Sequence, residues 1–177
     1  MLRNLFIGLA AAIVIILALG FILPDKAHVE RSAVIEAPPE AIYAIASDLN
    51  QQDKWSPWLE HDPATQSVVT GEGVGQTMTW TSKKMGNGSQ TITALEPPTR
   101  IVSHLDFGDM GLAEATMTIT PSGAGSAVTW TLDSNMREGV PLWMKPLSTY
   151  LGFFMDGMVG KDYERGLEKL KAAAEAS

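Results

Sequence analysis

The 177 residues carry 13 basic and 20 acidic side chains, a net charge of −7, and no cysteine. That length holds one domain of ordinary size with a small appendage, and the missing thiols exclude disulfides, thiol nucleophiles and cysteine-ligated zinc. The acidic balance repels phosphate backbones and anionic headgroups, which argues against nucleic acid as a partner.

The first element is an apolar run. Leu5 to Leu23, LFIGLAAAIVIILALGFIL, contains no charged residue, and its 19 residues approach the roughly 20 that a helix needs to cross a bilayer core. Residues 1–24 are therefore predicted to be a single-pass transmembrane signal-anchor helix, and residues 25–177 the folded domain. Arg3 and the N-terminal amine precede the run, whereas Asp25, Lys26, His28, Glu30 and Arg31 follow it with mixed sign. The positive-inside rule then puts the domain on the extracytoplasmic, periplasmic side. A cleaved signal peptide is the rival reading. It would show a shorter apolar core, about 7–15 residues, ending in a small-x-small site, and Ala18-Leu19-Gly20 lies inside the apolar run instead.

His28 to Ala37, HVERSAVIEA, reads as a first strand. Pro38-Pro39-Glu40 opens a helix, because proline suits the first turn and glutamate suits the positive end of the dipole. Ile42, Ile45, Ala46 and Leu49 supply its apolar stripe. The stretch NQQDKWSPWLEHD follows, broken into short turns by Pro57. From Ser67 to Met136, six runs rich in Thr, Val, Ile and Trp alternate with glycine turns, MGNGS and SGAGS among them. This is the pattern of an antiparallel meander. Met78 and Trp80, then Ala115, Met117 and Ile119, then Val128, Trp130 and Leu132 alternate with threonines. One face of the sheet is thus apolar and the other threonine-coated. A single helix from about Ser148 to Ala174 covers the apolar face, spanning near 40 Å at roughly 1.5 Å per residue.

The order strand, helix, short turns, six strands, long helix resembles the helix-grip fold of the SRPBCC, or START-like, superfamily, in particular its polyketide cyclase/dehydrase-like branch. The resemblance runs from about His28 to Leu170 and rests on VIEAPPEAIYAIASDLNQQDKWSPW, VTWTLDSNM and GKDYERGLEKLK. It implies an α+β fold in which a curved antiparallel sheet of about seven strands wraps a long C-terminal helix. It also implies a cavity for hydrophobic small molecules, and it does not account for the N-terminal anchor.

Catalytic motifs are sparse. GEGVGQ lacks the spacing of a phosphate loop and precedes a strand, and there is no G-x-S-x-G, H-E-x-x-H or P-loop lysine. Neither a cofactor nor a metal is expected. His104 and Asp106 share one face of a strand by period two and are the only candidates for an acid/base pair. The alternates Ile101, Ser103, Leu105 and Phe107 point that pair outward. The candidate ligand pocket comprises Met78, Trp80, Met117, Trp130, Phe154, Met155 and Met158, with Trp55, Trp58 and Trp143 at its mouth. Gly152, Gly157 and Gly160 interrupt the long helix, either for close backbone approach or for ligand space. Three functions follow as expectations. The first is a membrane-anchored, non-catalytic domain binding a lipid or aromatic metabolite. The second is a cyclase- or dehydratase-like enzyme using His104 and Asp106. The third is an interaction module with a vestigial cavity.

Overall fold

The computed structural model of the chain describes residues 2–176. An exposed apolar helix, α1 (Leu2–Ile22), leads into β1 (Lys26–Ile35). Helix α2 (Pro39–Ala46) starts at the second proline, with Glu40 in its first turn. Short turns follow at Leu49–Gln51, in α3 (Gln52–Trp55) and in α4 (Trp58–His61). The meander is β2 (Gln66–Thr70), β3 (Thr77–Ser82), β4 (Gly86–Glu96), β5 (Arg100–Asp106), β6 (Leu112–Ser122) and β7 (Gly125–Asn135). With β1 these strands make one seven-stranded antiparallel sheet in the order β1-β7-β6-β5-β4-β3-β2. The chain ends in α5 (Lys145–Gly152) and α6 (Met155–Glu175).

Strand register explains the core. Ile92, Ser103, Ala115, Leu132 and Val29 face one another in one row across five strands, and Leu95, Ile101, Met117 and Trp130 form the next. Period two keeps each row on the inner face, where α6 packs along β1 and beside α2 and α3. The threonines between them look outward. A bulge at Thr93 shifts the β4–β5 register between Ile92 and Ala94, which simple alternation does not anticipate.

Two elements differ from the sequence expectation. Only Met85 of the MGNGS segment lies in the turn: Gly86 to Ser89 already pair with β3, and Ser89 also with β5. Gly88 is forced by its neighbour, since a Cβ there would come within 2.3 Å of the Trp80 ring. The C-terminal segment is two helices rather than one, because the chain turns at Phe153–Phe154 after Gly152. Gly152 itself lies against Met136, 2.8 Å from where its Cβ would be.

Close approach also explains two of the three glycines of α6. The Arg31 guanidinium crosses the helix at Gly160, where a Cβ would lie 2.0 Å from Nη2. From there Arg31 reaches Asp156 and Glu164, each at 2.7 Å. Gly166 sits under the Trp130 ring, 2.8 Å from a notional Cβ, whereas Gly157 faces open space. Opposite outcomes follow for one substitution. Gly157→Ala should raise stability by up to about 1 kcal/mol through helix propensity. Gly166→Ala should lower it by about 1–3 kcal/mol through overpacking. Urea denaturation followed by circular dichroism measures both.

Candidate functional site

The space between the inner sheet face and α6 has two unlike halves. The half under β1, β7 and β6 is filled. Trp130 of β7 lies flat on Tyr163 of α6, ring centroids 3.7 Å apart and planes at 12°. Trp55 of α3 meets Trp130 edge-on at 5.2 Å and 65°. Such offset and edge contacts add to simple apolar burial. Burial, with Asp133 contributing, pushes the Tyr163 hydroxyl well above its ordinary value, so it stays protonated. Trp55 Nε1 and the Tyr43 hydroxyl are buried without a hydrogen-bond partner among the described residues, an arrangement that normally carries a cost.

The half under β3, β4 and β5 is more open. Met78, Trp80, Gln90, Leu105 and Phe107 are only half-buried there. Trp80 meets Phe107 edge-on at 6.0 Å. Polar groups mark the boundary with the filled half: Gln52 Nε2 donates to Gln90 Oε1 at 2.8 Å, and Gln90 Nε2 donates to Ser103 Oγ at 3.2 Å. The result is an aromatic and methionine wall beside a short amide-hydroxyl ladder. It offers apolar contact plus a few oriented donors and acceptors, the usual composition of a small-molecule site.

The residues singled out from sequence separate accordingly. Met78 and Trp80 belong to the open half, whereas Met117 and Trp130 belong to the filled one. Met155 is half-buried against the core, whereas Phe154 and Met158 are exposed on the outside. Trp55 sits inside the aromatic stack, Trp58 is half-buried near His61, and Trp143 is exposed on the loop before α5. His104 is exposed on the outer face between Thr91 and Glu114. Asp106 Oδ1 accepts from the Gly108 N–H at 2.8 Å, which makes it a turn cap. The two do not converge in the interior. Sequence reasoning put Ser103 and Phe107 on the inner side of their strand and Tyr163 on the apolar stripe of the helix without assigning them to the site, and it passed over Gln52 and Gln90. Period two alone could have found Gln90, which shares its face with Ile92.

Residues 26–175 match the family described as polyketide cyclase / dehydrase and lipid transport. The chain belongs to that family. Solved structures share the fold. Protein CV1439 from Chromobacterium violaceum is 24% identical with a TM-score of 0.54, over 84% of this chain and 98% of that one. TTHA0849 from Thermus thermophilus is 23% identical, TM-score 0.57, over 84% and 97%. The di-domain ARO/CYC StfQ from the steffimycin biosynthetic pathway is 15% identical, TM-score 0.63, over 85% of this chain and 51% of its own. At these identities the likeness concerns the fold. No curated protein matches the chain.

The turns that close this end of the family fold are held by carboxylates. Gln76 Oε1 accepts from the Leu49 N–H and its Nε2 donates to Asp48, both at 2.9 Å. The Ser82 hydroxyl donates to Asp62 at 2.7 Å. These hydrogen bonds, with Gln76 first for Asp48 and Ser82 first for Asp62, hold both carboxyls below the ordinary value of 3.8. Their contribution is complete above that value and is lost as pH falls through the lowered native ones. Asp62→Asn should therefore show a shallower loss of urea midpoint than the parent chain as pH falls below about 4.

Proposed function

We propose that the chain is a membrane-anchored binding domain for an apolar or amphipathic small molecule, a lipid or aromatic metabolite, without catalysis of its own. The observation that carries this reading is the half-open inner face: Trp80, Phe107 and Met78 form an apolar wall that ends at the Gln90–Ser103 pair. A ligand with an apolar body and one or two polar atoms suits that lining. Its body would cover the half-buried rings, and its polar end would join the amide ladder. Proton transfer by His104 and Asp106 receives no such support, because one is exposed and the other caps a turn. The anchor is α1, which is long and apolar enough to span a bilayer. The positive-inside rule favours the periplasmic side for the domain.

Trp80→Ala removes the wall without touching the filled half. It should weaken binding of an apolar fluorescent probe, or of a co-purifying lipid seen by native mass spectrometry, about ten- to hundredfold. The urea midpoint should move little. If the parent chain carries no small molecule and the probe binds both proteins alike, the domain is an interaction module and the binding reading is wrong.

A further inference from the structure

Helix α5 is built inside out. Its inward side chains are polar: the Ser148 hydroxyl is shared between the carbonyls of Met136 and Lys145, and Thr149 Oγ1 donates to Lys145 O and accepts from Arg137 Nε. Both are buried. Its outward side carries Leu147 and Leu151, four residues apart and so one above the other, at 55% and 46% exposure. The flanks extend the same surface. Leu142 and Trp143 are 71% and 76% exposed before the helix, and Phe153 and Phe154 are 58% and 64% exposed after it. Soluble monomers rarely leave so continuous an apolar surface in water.

What lies beside α5 identifies the occupant. The Tyr150 hydroxyl donates to the Ile16 carbonyl of α1 at 2.7 Å. Gly20 of α1 is pressed against Pro146, 2.6 Å from where its Cβ would be. The two helices therefore pack against each other, with Ile16 next to Tyr150 and Gly20 next to Pro146. Arg137 fixes the junction. Its Nη2 donates to the carbonyls of Gly20 and Leu23, and its Nη1 pairs with Asp25 at 3.3 Å. Carbonyls at the end of a helix lack intrahelical donors, and a cation suits that end. Helix α1 is thus joined to the domain along α5 rather than through a loose tether.

This inference rests on the reading that α1 spans the bilayer. Ile16 lies six residues before Ile22, the last residue of α1, a depth of about 9 Å at roughly 1.5 Å per residue. Interfacial helices bury their apolar faces about 5–10 Å deep. We infer that α5, with Leu142–Trp143 and Phe153–Phe154, is a second membrane contact, an interfacial foot whose leucine face lies among lipid acyl chains beside α1. Trp143 at its rim and Tyr150 against α1 are residue types that favour the headgroup level. The acidic net charge of the chain assigns the contact to apolar insertion rather than to attraction by anionic headgroups. The consequence is a fixed orientation, with the start of α6 held at the membrane surface.

The chain has no cysteine, so single-cysteine variants of the full protein can each carry one environment-sensitive dye. Leu147→Cys, Leu151→Cys and Phe153→Cys are compared with Val34→Cys and Val68→Cys, exposed apolar positions on the sheet, and with Ile13→Cys in α1. Each is reconstituted in phosphatidylcholine vesicles with acyl-chain spin labels placed shallow or deep. The expected result is a blue shift and loss of emission by shallow spin labels at 147, 151 and 153, loss by deep labels at 13, and no change at 34 and 68. Adding anionic lipid should leave the pattern unchanged. Quenching at 13 alone, with 147, 151 and 153 behaving like 68, overturns the foot and leaves the anchor standing. No quenching at 13 overturns the anchor and the foot together. A blue shift at 147 and 151 that depends on protein density and is insensitive to spin labels assigns the face to a second copy and overturns the lipid contact.

Discussion

Trp130 stacked on Tyr163 is the contact through which the other elements are positioned. The tryptophan comes from β7, next to the first strand, and the tyrosine from the middle of α6, so one ring pair ties sheet to helix. Trp55 closes on the same ring from a third direction and brings the W-S-P-W turn with it. Gly166 and the buried Pro57 exist around this stack as clearances and walls, since a larger residue at 166 would meet both. Salt bridges from Glu60 to Arg165 and Lys169 then fasten the turn to the outer side of α6. These are exposed and contribute little each. The aromatic stack sets the geometry and the charges follow it.

Because the stack occupies the half of the sheet nearest β1, the helix cannot also cover the far half. The glycines of α6 illustrate the point. Two of them make room for side chains of this protein, Arg31 and Trp130, rather than for a ligand. The proposed ligand would sit instead on the side of β3, β4 and β5, where Met78, Trp80 and Phe107 are only half-buried.

Much of this was legible in the chain itself. Alternation of Met, Trp and Val with threonine identified the sheet and its inner face, and Pro38-Pro39-Glu40 marked the start of α2 to within a residue. Two structural features were not legible because they depend on distant partners. Gly86 to Ser89 reads as a turn until Trp80 is seen lying across Gly88. The break between α5 and α6 reads as one helix until α1 is seen alongside α5. For the candidate site, sequence grouped the half-buried Met78 and Trp80 with the buried Met117 and Trp130, because periodicity gives a face and not a position along the helix that covers it. Exposed Phe154 and Met158 were grouped there for the same reason.

The central claim is that the interior is divided, with a closed aromatic stack in one half and a ligand-accepting wall in the other. The chain has five tryptophans, and fluorine-labelled tryptophan gives each a separate resonance in the full protein held in lipid nanodiscs. Titration with an apolar aromatic probe should shift the Trp80 signal progressively while those of Trp130 and Trp55 hold still. A shift centred on Trp130, or none at Trp80 at saturating probe, would contradict the account.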